Sequence, residues 1–369
     1  MKKALVDPNP TAPSAMDERD LAMVERAIAE LRSGRPLRFV PQAGQPWLLA
    51  PLEGFDPSML AQATAAGESP LVLLTATRAR HLGLDPQGER VVALSAREMG
   101  ADDLAALANP LHRPQRAVAE WPVSLRPPEG AEAMLELLKA GRLLPAALVS
   151  PDSQDAECLS VEEAAVRRFR EEAGARLTQV AEAAVPLLDA EGTRIVAFRP
   201  ADGGREHLAI LVGQPDLSGP VLTRLHSECF TGDLLRSLRC DCGDQLRGAI
   251  DLMEREGGGI LLYLAQEGRG IGLVNKLRAY ALQDRGADTL DANEQLGFDA
   301  DERVYRPAAE MLRQLGVAQV RLLTNNPLKV EALAASGVTV VERVPHSFPA
   351  NGHNEDYLDT KARRFGHLL

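Results

Sequence analysis

Aromatic residues are scarce: they fill 4% of the 369 positions, with only two tryptophans and four tyrosines. Any core must therefore be built from Leu, Val, Ile and Ala. Long apolar runs are missing too. Nothing approaches the ~18 uninterrupted apolar residues of a membrane-spanning helix, and the start Met1-Lys2-Lys3 lacks the apolar stretch of a secretory leader. The expectation is a cytoplasmic chain with no membrane partner. Positive charge is in deficit, with 41 Lys and Arg against 52 Asp and Glu, a net −11. That balance argues against nucleic acid as a partner, although a small anion needs only a few local donors. Cysteine is rare as well. Of the four, Cys158 stands alone, while Cys229, Cys240 and Cys242 crowd into fourteen positions.

The length exceeds the usual size of one domain, so two are expected. Residues 1–14, with Pro8, Pro10 and Pro13, read as a flexible tail, followed by domains over 15–177 and 178–369. In the first, Leu21, Val24, Ile28 and Leu31 recur at helix spacing from Asp17 until Gly34. Leu71 to Leu74 and Ala146 to Val149 read as buried strands, the surroundings of Leu135 and Leu138 and Glu162 to Glu172 as helices, and Trp121 to Glu129 as a loop. In the second, strands are expected over Arg194–Phe198, His207–Val212, Ile260–Leu264, Val317–Thr324 and Val338–Val341. Gln245–Glu256 reads as a helix, as does Leu273–Asp284 with Val274, Leu277 and Ala281 on one side, and Asn326-Pro327 starts another. Such alternation predicts an α/β fold: two layered α/β domains with mixed sheets.

The spacing Cys229-x10-Cys240-x-Cys242 is the strongest chemical signal. Thiolates are preferred zinc ligands, and three of them leave a fourth position for water. His226 would close the site if it joined them, so spacing alone does not separate catalytic from structural zinc. The bland alternative is three buried cysteines packing as small hydrophobes. Gly268-Arg269-Gly270-Ile271-Gly272 lies between an expected strand and an expected helix. It reads either as a tight turn or as a cradle of backbone N–H groups for an anion.

The run from Arg224 to Asp233, with Ser237 to Gly243, closely resembles GTP cyclohydrolase II. The likeness continues through Gln266–Leu273, Lys276–Tyr280, Asp291–Asn293, Leu296–Phe298, Asp301–Arg303, Arg321–Pro327 and Tyr357–Lys361, about 190 residues in all. It departs at Ala265, where many relatives carry Arg. The resemblance implies zinc-dependent hydrolysis of GTP to formate, pyrophosphate and a diaminopyrimidinone ribosylamino phosphate, with Mg2+ accompanying the triphosphate. It implies zinc ligation by Cys229, Cys240 and Cys242, and GTP contacts from Arg224, Leu225, His226, Ser227, Glu228, Gln245, Glu267, Gly268, Arg269, Thr289, Thr324 and Lys329. Asp301 is implied as a proton acceptor, Arg303 as a nucleophile towards the α-phosphate, and Tyr280 as a participant in ring opening. Because a guanidinium stays protonated, physical chemistry alone makes Arg303 a phosphoryl clamp that Asp301 orients. The plainer readings are a core tyrosine for Tyr280 and a helix cap for Thr324–Pro327.

The segment from Val24 to Arg35 resembles the opening helix of dihydroxybutanone-phosphate synthase, and the parallel persists weakly through Leu71–Leu74, Arg80–Leu84 and Glu132–Val149. The acidic magnesium-binding run of that family is absent, since positions 41–52 hold no carboxylate, and its metal motif becomes Gly130-Ala131-Glu132-Ala133. The expectation is a degenerate, non-catalytic domain that serves dimerisation, giving a homodimer, or regulation. His81 and His112 are expected in surface or loop positions. Rival readings are a cyclohydrolase that stops at a formylated product and a zinc-ribbon module, for which the chain has neither a second ligand pair nor a basic face.

Overall fold

A computed structural model describes residues 18–58, 60–61, 69–113, 126–152, 158–172, 174–349, 352 and 364. The expected tail, the Tyr357–Lys361 motif and the start of the Trp121–Glu129 loop lie outside these residues. In chain order the first half forms α1 (Glu18–Arg32), β1 (Leu37–Val40), β2 (Trp47–Pro51), β3 (Leu71–Thr75), α2 (Ala76–His81) and β4 (Val91–Ser95). It continues with α3 (Ala101–Ala108), α4 (Ala131–Ala140), β5 (Ala146–Pro151), β6 (Ser160–Glu162) and α5 (Glu163–Glu172). Helix α1 buries Val24, Ala27 and Leu31, and Gly34 at φ 73° turns the chain beyond it, a conformation that costs glycine little.

The second half forms β7 (Leu177–Ala184), β8 (Arg194–Pro200), β9 (His207–Gly213), β10 (Val221–Ser227), α6 (Cys242–Arg255) and β11 (Gly258–Leu264). Then come α7 (Leu273–Gln283), α8 (Thr289–Gln295), α9 (Arg306–Gln314), β12 (Gln319–Leu323), α10 (Pro327–Ala335) and β13 (Thr339–Val344). The strands make two mixed sheets, β4-β3-β5-β2-β1-β6 and β13-β12-β10-β11-β9-β8-β7, so the chain is two α/β domains as its pattern implied. In the first sheet only β1 and β6 run parallel, whereas in the second β10 is parallel to both β11 and β12. Six of the seven β10 residues are buried, as suits a central parallel strand covered on both faces.

One helix turns differently from its pattern. The buried face of α7 is Asn275, Ala279 and Leu282, while Val274 and Leu277 are 58% and 51% exposed, so the stripe Val274, Leu277, Ala281 is corrected. The cause is polar. The Asn275 amide donates to the carbonyls of Arg142 (2.9 Å) and Ile271 (3.0 Å), which commits that side of the helix to the first domain. His81 and His112 are exposed, as expected.

The two halves share a core. Val72, Leu74, Val92, Leu94 and Leu148 of the first sheet pack in one cluster with Ile271, Ala279, Leu282, Leu296 and Phe298 of the second half. Arg78 crosses the same boundary. It is buried and donates to the carbonyls of Leu107 (2.8 Å), Ala106 (2.8 Å) and Gln295 (2.9 Å), and the Thr75 hydroxyl donates to Gly297 O (2.8 Å). Arg78→Met should leave those acceptors orphaned and lower stability by about 3 kcal/mol, the upper range for an unpaired buried group. An unchanged denaturant midpoint would show that the carbonyls find other donors.

Candidate active site

Strand β10 carries Arg224, Leu225, His226 and Ser227 to its carboxyl end and hands on to Glu228 and Cys229. A π-turn over Phe230–Leu234 then reverses the chain, pinned by Asp233, whose carboxylate accepts the Cys229 N–H (2.9 Å) and the Tyr263 hydroxyl (3.0 Å). Gly232 has to be glycine here: a Cβ would stand 2.8 Å from Cys240 Sγ and 3.0 Å from Cys229 Sγ. Cys242 opens α6, with Cys240 two residues before it. The three sulfurs lie within 4.8 Å of one another, and Cys229 and Cys240 are 3.7 Å apart.

Three crowded thiols do not ionise alike. Hydrogen bonds from Cys240 and Cys242, with the Lys276 ammonium beside it, hold the Cys229 thiol far below its ordinary value. The hydrogen bond with Cys229 pushes Cys240 up to about 11, and Cys242 is raised for the same reason. A soft dication is what would let all three release their protons together. His226 stays out of this cluster. Its Nε2 lies 3.1 Å from both Asp233 oxygens, and burial lowers its pKa, so it stands as a neutral imidazole beside the sulfurs.

Between β11 and α7 the chain passes through a 3-10 turn, Glu267–Gly270, where Gly268, Arg269 and Gly270 all have positive φ. For Arg269 that backbone is strained, a state that persists where surroundings over-determine it. Glu267 supplies much of the constraint. Its buried carboxylate accepts the N–H groups of Phe230 (2.6 Å) and Gly268 (3.0 Å) and pairs with Lys276 Nζ at 2.7 Å. Lys276 Nζ also stands 3.1 Å from Cys229 Sγ and from Thr231 Oγ1. One turn along α7, Tyr280 is half-buried, its hydroxyl 3.4 Å from Thr231 Oγ1 and its ring 5.0 Å from the Arg239 guanidinium.

Farther round, Arg303 forms a fork on Asp301, Nε to Oδ1 at 2.8 Å and Nη2 to Oδ2 at 2.5 Å. Burial works to raise the Asp301 carboxyl, but the Arg303 hydrogen bonds and charge prevail and hold it below the ordinary range. Arg224 donates to Leu323 O (3.0 Å) and to the Gln245 side chain, which in turn donates to Asp241 (2.5 Å). Asn326 caps α10 by accepting the Leu328 N–H, and Thr324 Oγ1 accepts the Asn326 N–H. Lys329 Nζ donates to Leu225 O (2.8 Å), and Thr289 accepts from Gln283 (3.2 Å).

All of this surrounds one cavity of about 680 Å³, within the range of small-molecule sites. Every residue named from the sequence lines it except Asp301, which lies behind Arg303. Six cationic side chains converge there, Arg224, Arg239, Arg269, Lys276, Arg303 and Lys329, in a chain whose net charge is −11. Lys276, Asn293 and Asn325 in the wall, and Asp233 beneath it, lie in motifs that carry the resemblance but had no role read for them, and His346 stood outside those motifs. For Lys276 a signal existed, since it shares a helix face with Tyr280 four residues on.

A family model described as GTP cyclohydrolase II matches residues 178–345. The GTP cyclohydrolase-2 of Azospirillum brasilense is 52% identical over 376 residues, covering 98% of this chain and 97% of its own length. The chain belongs to the GTP cyclohydrolase II family. The GTP cyclohydrolase-2 of Escherichia coli O9:H4 (strain HS) is 56% identical over 196 residues, 53% of this chain and 98% of that protein. A two-domain 3,4-dihydroxy-2-butanone 4-phosphate synthase from A. baumannii, of solved structure, covers 87% of this chain and 99% of its own at 16% identity, with a TM-score of 0.31, too low to carry an argument. The cyclohydrolase is thus an enzyme whose cavity contains a three-cysteine cluster able to hold a metal. Cys240→Ser should cut bound metal, measured by elemental analysis of purified protein, to a small fraction of the wild-type content. Full retention would overturn the assignment of these thiols as the ligand set.

Proposed function

We propose that the cyclohydrolase hydrolyses GTP to 2,5-diamino-6-(ribosylamino)pyrimidinone 5'-phosphate, formate and pyrophosphate, the first step of riboflavin biosynthesis. The observation that carries this reading is the union, in one cavity, of three thiols within 4.8 Å with six cationic side chains. Thiolates at ~2.3 Å from a tetrahedral zinc stand about 3.8 Å apart, close to the 3.7 Å between Cys229 and Cys240, so the donors suit Zn2+. When bound there, the ion supplies a water activated at neutral pH for attack at guanine C8.

The other steps belong to the chain. GTP, accompanied by Mg2+, meets Arg224, Arg269, Arg303 and Lys329, and the positive-φ turn at Gly268 and Arg269 sets the Arg269 side chain in the cavity wall. Asp301 engages Nε and Nη2 of Arg303, so Arg303 faces the α-phosphate as an oriented cation. That fork supports a clamp rather than a nucleophile, because a carboxylate partner stabilises the protonated guanidinium. Burial raises the Tyr280 phenol, which keeps it a donor at neutral pH beside the ring-opening centre.

The family match begins at 178, next to the start of β7, which supports a division of the chain near residue 177. The first domain is read as a degenerate synthase domain, since the stretch through β2 offers no carboxylate for a hard cation. A cytoplasmic homodimer is the assembly we favour. Among the described residues no helix is long and apolar enough to cross a membrane.

Purified, zinc-loaded protein should release formate and pyrophosphate from GTP in equal amounts. Pyrophosphate without formate would refute the ring-opening assignment. Arg303→Lys keeps the charge but loses the fork, and should slow pyrophosphate release by on the order of 100-fold. A rate within about threefold of wild type would remove Arg303 from the phosphoryl step.

A further inference from the structure

We propose that the corner of the first domain between α4 and β5 positions the active-site loops of the second, with Lys139 and Arg142 as its positioning residues. The inference rests on the functional reading above, because the loops concerned carry Arg269 and Arg303.

Lys139, at the end of α4, is nearly buried. Its Nζ stands 2.8 Å from Glu302 Oε1 and 3.0 Å from Asp299 Oδ2, with Glu136 of its own helix at 3.6 Å. Glu302 sits between Asp301 and Arg303 in sequence and is tied both ways. Its side chain accepts the Asp299 N–H (2.8 Å), and its own N–H donates to Arg269 O (3.0 Å). One ammonium of the first domain thus anchors the 299–303 segment and, through Glu302, the strained 267–270 turn.

Arg142 holds the other side. Its Nη2 donates to Ala265 O (2.9 Å), and its carbonyl accepts the Asn275 amide (2.9 Å). Ala265 and Asn275 bracket the turn in sequence. Gly272 lets this corner approach, because a Cβ there would stand 3.0 Å from Arg142 Cδ. Arg142 itself has φ 58°, a strained backbone held in place at the contact.

Adhesion alone does not explain these bonds. The shared core and Arg78 already join the domains, mainly through α7, α8 and the residues just after α8, with Ile271 coming from the turn region. Lys139 and Arg142 instead reach the two segments whose placement decides where Arg303 and Arg269 meet the ligand. The E. coli relative aligns over 98% of its own length with 53% of this chain, so the proposed support is one that a shorter relative does without. Its loss should slow the reaction rather than abolish it.

The test uses the full chain with Lys139→Met, Lys139→Arg, Glu302→Gln and the Lys139→Met/Glu302→Gln double variant. Amide hydrogen exchange should quicken in 265–275 and 299–303 in Lys139→Met, with the cores of both sheets unchanged and Lys139→Arg restoring protection. GTP turnover should fall about tenfold or more in kcat, with KM and metal content near wild type. The double variant should be no slower than the worse single variant, because both act through one contact. Unchanged exchange in both segments, or single effects that simply add, would overturn the proposal. Altered exchange in a protein whose wild type turns over no GTP would uphold the tether and refute the functional reading instead.

Discussion

The buried ion pair of Glu267 and Lys276 is the contact on which the site depends. It ties three neighbouring segments together at one point: the π-turn after β10, the 3-10 turn after β11, and helix α7. Glu267 fixes the backbone at Phe230 and Gly268, while Lys276 places a positive charge 3.1 Å from Cys229 Sγ. Removing one partner would leave an uncompensated charge in a largely buried position, a cost above that of a surface pair. Hydrogen bonds from Cys240 and Cys242 do most to lower the Cys229 thiol, and the Lys276 ammonium beside it adds to the effect.

Topology explains why residues 100 positions apart share one cavity. Strands β10, β11 and β12 are parallel neighbours, so their carboxyl ends lie along one edge of the sheet. Glu228 and Cys229 follow the first, Gln266 and Glu267 the second, and Thr324 to Asn326 the third. Ligands of open α/β sheets bind outside the carboxyl ends of the strands, where the loops leave the sheet. The antiparallel strands β7 to β9 contribute little to the cavity wall, and their role is to close the core beneath it.

Much of this was legible in the residues, and the exceptions have physical causes. The cysteine spacing was readable because thiols that cluster in sequence have few uses besides metal. The glycines at 268, 270 and 272 marked the strained turn, since positive φ favours their type. Strand β10 escaped notice because Arg224 and His226 interrupt its apolar run. Both are buried, held by Leu323 O and Asp233, which a periodicity search counts as breaks. The phase of α7 was misread for a related reason: Asn275 turns inward to satisfy a carbonyl of the other domain. His346 could not be found from local pattern at all, for its partner, Gln245 O at 2.9 Å, lies across the fold.

Helix α7 shows how domain packing and chemistry meet in one element. One face carries Ala279 and Leu282 into the core shared with the first sheet, and the other presents Lys276 and Tyr280 to the cavity. Side chains on a single helix cannot shift independently along its axis, so packing density in the shared core bears directly on where the ammonium and phenol stand. A cavity opened at Leu282 would therefore be felt at Tyr280, although the leucine itself lies outside the cavity wall. The same reasoning gives the first domain a physical function. It completes the core against which α7 is seated, and none of its described residues lines the cavity, so that seat is what it offers the site.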